Sequence, residues 1–182
     1  MLATTDQHKA VELLQIEHDA VRDLINTLTA EETTLPDTIR YGLYPGQKLS
    51  FKDLLAHLIT YEAYSLEAID EWQQGRKHWI IDAMASPSES RRVHFSGIED
   101  RQHISLEGIL AEWENTQAQI KNRIGEFSDA EWQQSAPFAT PEPTNLGGML
   151  EAILVAPPRP LYRHLPVHIP DTAAYIASIR SR

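Results

Sequence analysis

The chain contains no cysteine. Disulfides, thiolate zinc sites and a cysteine nucleophile are therefore excluded. A metal bound here must be held through nitrogen and oxygen, and thiol chemistry would need a thiol carried in by a small molecule. The N-terminus, Met1-Leu2-Ala3-Thr4-Thr5-Asp6-Gln7-His8, lacks the basic and apolar regions of a secretory signal. No apolar run approaches membrane-spanning length, so the expectation is a cytoplasmic protein with no membrane partner. Clustered basic residues are also missing. Arg76-Lys77 and Arg91-Arg92 are isolated pairs in a chain of formal net charge −10. A phosphate backbone needs a basic face, so no nucleic-acid partner is expected. There is no glycine-rich phosphate loop and no HExxH motif. Phe95-Ser96-Gly97 lacks the flanking glycine and the strand of a nucleophile elbow.

What is present is helical periodicity. The length of 182 residues fits one domain, 1–182, with a substantial core, and the 42% hydrophobic and 23% charged content is that of an ordinary globular chain. A first helix is predicted from about Asp6 to Thr29, with Val11, Leu14, Val21, Ile25 and Leu28 on one stripe. A turn-rich stretch with Pro36 and Pro45-Gly46 follows. The second helix opens at Ser50, with Asp53 three residues on as an imperfect capping box, and runs to about Trp72 before Gly75. Residues 73–104 read as a long connection containing the soft segment Ser86-Pro87-Ser88-Glu89-Ser90. The third helix runs from about Ser105 to Gly125, and a short capped turn follows at Ser128 to Trp132. The last helix starts near Met149. Pro157, Pro158, Pro160, Pro166 and Pro170 predict a kink or restart within it. The fold class is all-α, with four main helices in a bundle and a crossover between the second and third.

Polar residues interrupt the apolar stripes. His18 breaks the first, Gln117 the third, and His164 with His168 the last, while His57 lies beside the stripe of the second, with Tyr61 and Tyr64. Polar groups in an apolar interior need partners, and bundle cores are common places for metal sites. The i, i+4 pair His164 and His168 puts two imidazoles on one helical face, and His57 would bring a third nitrogen to the same ion. Three protein ligands leave a position open, as catalytic metal sites do. A core histidine satisfied by its neighbours is the plainer reading of His57 or His18 taken singly. Asp171 shares the face of His168 and either orients an imidazole or is a surface charge. Glu62 reads as a solvated or core-edge carboxylate, and Tyr61 and Tyr64 as packing residues. His8, His78, His94 and His103 receive no role.

The stretch Ser50-Phe51-Lys52-Asp53-Leu54-Leu55-Ala56-His57-Leu58, with Glu62 beyond it, resembles the second helix of the DinB-like (YfiT-like) superfamily. Leu161 to Asp171 resembles that family's closing H-x-x-x-H helix, and Leu106 to Trp132 its third. The resemblance implies an up-down-down-up four-helix bundle with a divalent metal, nickel or zinc, on His57, His164 and His168. It also implies transferases and isomerases that use low-molecular-weight thiols, and some hydrolases.

The function expected is accordingly a metal-dependent enzyme, thiol S-transferase-like or hydrolase-like, acting on a small electrophilic molecule. The metal would lower the pKa of a bound water or thiol. The alternatives are a non-catalytic small-molecule-binding module and a helical interaction protein. The sequence leaves a homodimer open.

Overall fold

A computed structural model describes residues 1–36, 38–39, 47–155 and 162–181. Among these residues the regular structure is all helical. The helices are α1 (Gln7–Thr27), α2 (Ala30–Thr34), α3 (Phe51–Gln73), α4 (Ile80–Ala85), α5 (Pro87–Arg101), α6 (Leu106–Gly125), α7 (Asp129–Trp132), α8 (Leu146–Val155), α9 (Leu165–His168) and α10 (Thr172–Arg180). Among the described residues no helix is long and apolar enough to cross a membrane.

Side-chain caps fix the helix starts. The Asp6 carboxylate accepts from the Lys9 backbone N–H at 2.7 Å, satisfying a donor that has no intrahelical partner. The capping box expected as imperfect at Ser50 is complete: Asp53 Oδ2 accepts the Ser50 N–H and Ser50 Oγ accepts the Asp53 N–H. Ser105 caps α6, and full boxes also stand at α2, from Thr29 with Glu32, and at α7, from Ser128 with Glu131.

The segment 73–104 departs from expectation, since it carries α4 and α5 rather than a loop. Pro87, which read as a loop signal, occupies the first turn of α5, where its missing N–H costs nothing. Only Val93, His94, Gly97 and Ile98 of α5 are buried, so its apolar stripe is too thin to read from sequence. Gly97 lets α5 lie against α3. A Cβ there would stand 1.8 Å from Thr60 Oγ1, a β-branched side chain with little room to turn away.

Helix α3 packs against α5, α6 and α8, and α1 packs against α6. One apolar cluster gathers Ile69, Trp72, Ile120, Trp132 and Leu150; the other gathers Phe51, Leu54, Ile59, Trp113 and Leu165. Cross-helix pairs set the register. Arg22 on α1 bonds Glu114 on α6, and Gln7 on α1 bonds the Ile124 carbonyl near the far end of α6. Arg101, at the end of α5, bonds Thr60 on α3 and Glu112 on α6, while Arg123 bonds Asp70.

The closing helix restarts rather than continuing. After α8, the four-residue α9 carries Pro166, the backbone leaves helical geometry at Ile169 (φ −128, ψ 81), and α10 begins afresh. Pro45-Gly46, Pro157, Pro158, Pro160 and Leu161 lie outside the described residues.

Candidate functional site

His57 projects from the buried face of α3 and is 1% exposed. His164 stands at the N-cap of α9, and His168 is that helix's last residue. One ligand nitrogen from each of the three lies within 4.8 Å of the others. The Nε2 atoms of His57 and His164 are 3.2 Å apart. Donors on one tetrahedral ion at about 2.0–2.1 Å would be separated by roughly 3.4 Å, so the His57–His164 pair stands at the spacing of two ligands of one cation. His164 Nδ1 lies 2.9 Å from the Leu154 carbonyl, to which it donates, leaving the Nε2 lone pair facing inward. The rings of His164 and His168 stack at 5.1 Å with an interplanar angle of 26°. The i, i+4 spacing thus works even though the helix is a single turn.

Burial holds His57 well below its ordinary pKa, reinforced by the neighbouring imidazoles of His94, His164 and His168 and partly offset by a hydrogen bond with the His94 backbone. A neutral imidazole is the form that ligates metal.

The sequence reading missed His94. Helix α5 places its ring 4.1 Å from that of His57 and 6.1 Å from that of His168. The signal that would have found it is the helical character of 87–101, hidden by the polar face. Tyr61, expected only to pack, closes another side, its ring 4.9 Å from His57 and 5.7 Å from His164. Tyr64 instead faces Trp79 at 5.1 Å.

The approach to α9 is fixed from α1. The Glu17 carboxylate accepts the Leu165 backbone N–H and, at 3.0 Å, Arg163 Nε. Burial raises its pKa, while the bonds from Leu165 and Arg163 oppose the rise. Just before His164, Tyr162 sits at φ 50, in the left-handed region that a bulky residue rarely adopts. Such strain persists where surrounding packing enforces it.

The remaining polar interruptions do not join the histidine group. His18 Nε2 lies 3.4 Å from Glu62 Oε1, and its ring meets Trp113 edge-on at 6.2 Å. Glu62 is a buried residue, 7% exposed, not a solvated or core-edge one. Burial raises its pKa well above the ordinary carboxyl value, and the Glu17 charge adds to the rise. Burial likewise lowers His18 to about 3, helped by Lys121 and Arg22. The Asp171 carboxylate caps α10, accepting the Ala174 N–H at 2.9 Å.

No family description and no curated protein matches the sequence. Solved structures share its fold, among them the following two. One is a colibactin self-resistance protein, ClbS, in complex with a double-stranded DNA, with a TM-score of 0.70, 15% identity and 99% of each chain covered. The other is an uncharacterised protein from Escherichia coli UTI89, with a TM-score of 0.67, 15% identity, and 98% of this chain and 91% of that one covered.

These likenesses correct two expectations. Nucleic acid was excluded on net charge, yet a protein whose fold matches this chain over 99% of its length was solved in complex with a double-stranded DNA. Charge summed over a whole surface does not decide what one face can bind. The same finding overturns the reading as a thiol S-transferase-like or hydrolase-like metal enzyme acting on a small electrophile.

Proposed function

We propose that this protein is a self-resistance protein of the ClbS kind that works at double-stranded DNA. The single observation that carries the reading is the shared fold over 99% of both chains. The face proposed for contact is the exposed side of α5, which carries Arg91 and Arg92 and whose buried side carries His94. Arg92 pairs with Glu89 at 2.9 Å, but a solvent-exposed pair of this kind is worth little and can exchange its partner for phosphate.

The scaffold in this proposal is one domain, a four-helix bundle of α1, α3, α6 and α8 in an up-down-down-up path, with the DinB-like pattern its parent type. The pairs Arg22–Glu114 and Gln7–Ile124 support an antiparallel α1 and α6. The pairs Thr60–Arg101–Glu112 and Asp70–Arg123 support a parallel α3 and α6. The bond from Thr4 to Glu151 supports α8 starting at the same end as α1. A divalent cation, nickel or zinc, on His57, His164 and His168 belongs to the same proposal, supported by the convergence of the three nitrogens. When bound, such an ion supplies an electrophilic centre with an open position.

The experiment is binding of a fluorescent duplex to the full chain, with Arg91→Glu/Arg92→Glu as the control. Duplex binding that this charge reversal weakens at least tenfold is expected. Equal binding by the two proteins rejects the α5 face, and no binding by wild type rejects the function.

A further inference from the structure

Beside the histidine group, between α1, α3, α6 and the strained Tyr162, lies a cavity of about 20 Å³. Glu62, Gln117 and Tyr162 line it, His164 closes one side, and Leu14 and Leu154 supply apolar wall. Glu62 Oε2, Gln117 Oε1 and the Tyr162 hydroxyl are all buried with no hydrogen-bond partner among the described residues. Their residues are 7%, 2% and 2% exposed. Buried polar atoms are ordinarily paired, so three orphans from three elements around one space need a common explanation. Simple packing does not provide it, because an apolar side chain at any of these positions would avoid the cost of an unmade bond.

We propose that this chamber is a binding site for one small uncharged hydrogen-bonding group: a hydroxyl, whether that of a water or of a bound molecule. Size, polarity and charge all point to this class. A cavity needs roughly 10–15 Å³ to hold a water, and a water needs two to four polar partners. The amide oxygen of Gln117 can only accept, so the guest must donate; the Tyr162 hydroxyl can do either. An anion would face the carboxyls of Glu17 and Glu62. A charged guest of either sign would be stripped of solvent among leucines. His18 stands behind Glu62 at 3.4 Å and limits how far that carboxyl can turn away. Because His164 is shared, a hydroxyl held here abuts the histidine group. The site depends on packing alone and not on the DNA or metal reading, so it stands or falls separately from them.

The test is a high-resolution crystal structure of the full chain, grown without alcohols and then soaked in methanol. Water-exchange nuclear Overhauser spectra in solution accompany it. The expected result is a water within hydrogen-bond distance of Gln117 Oε1 and Glu62 Oε2, and long-lived water contacts to the Leu14 and Leu154 methyls. Methanol oxygen replacing that water extends the site to hydroxyls of bound molecules; water that methanol does not displace restricts it to solvent and overturns that extension. Gln117→Leu should lose both signals. Tyr162→Phe, a milder change, should lower methanol occupancy at least twofold while the fold persists. A dry chamber in the wild-type crystal, with no water contact to either leucine, overturns the proposal.

Discussion

His57 Nε2 and His164 Nε2 face each other at 3.2 Å across 107 residues of sequence. His164 has already committed its Nδ1–H to the Leu154 carbonyl. Its Nε2 therefore presents a lone pair, and what lies between the rings must be a proton from His57 or a cation. That need ties the local chemistry to the proposed metal centre.

Replacing His57 by alanine should abolish stoichiometric nickel or zinc binding while leaving the helices formed. The ring lies beside helices whose apolar clusters are already closed, so the loss is one side chain's packing, about 1–3 kcal/mol. Metal content by mass spectrometry and denaturant titration of the metal-free protein check the two halves. A variant that keeps one ion per chain would remove His57 from the ligand set.

Gly97→Ala should destabilise the protein by about 1–3 kcal/mol, because its Cβ runs into Thr60 and overpacks the α3–α5 contact. The displaced helix carries His94, so metal affinity should change with stability. Urea midpoints for the metal-free proteins would reveal the first effect. An unchanged midpoint would mean that α5 shifts freely, contrary to the packing described.

The buried pair Glu62 and His18 gives opposite pH signatures. The folded pKa of Glu62 is raised, so its contribution is full below the unfolded value of 4.5 and is lost as pH rises toward the folded pKa. His18 is lowered from 6.5 to about 3, so its contribution is present above 6.5 and lost as pH falls through that interval. Glu62→Gln removes only the first. Its stability relative to wild type should be more favourable at about pH 7.5 than at about pH 5, measured by denaturation without metal. A difference that stays constant with pH would show that Glu62 ionises normally in the fold.

Much of this architecture was legible in the sequence. The long helices carry stripes at helical spacing and side chains at their caps, so α1, α3 and α6 begin and end close to where those signals stand. The convergence of His57, His164 and His168 was also legible, since i, i+4 spacing survives even in one turn of helix. Helix α5 was not legible, because only four of its residues are buried and its first residue is a proline. His94 was hidden with it. Glu62 was misread because its burial depends on α1 and α6 closing over it, which a single helix's pattern does not reveal. The polar interruptions of the stripes form two neighbouring groups, His57 with His164 and His168, and Glu62 with His18 and Gln117. The exclusion of nucleic acid rested on net charge, which sums over the whole surface and does not describe the charge of any one face.

The most direct test of the account is the affinity of the metal-loaded, full-length protein for a short DNA duplex as salt is raised from very low ionic strength. With few basic residues to meet phosphate and a net charge of −10 opposing approach, binding should be present at low salt. It should fall with a shallow logarithmic slope of about 2, the value for the two arginines of the α5 face. Absence of duplex binding at the lowest salt, by wild-type protein with its helices intact, would contradict the assignment to double-stranded DNA.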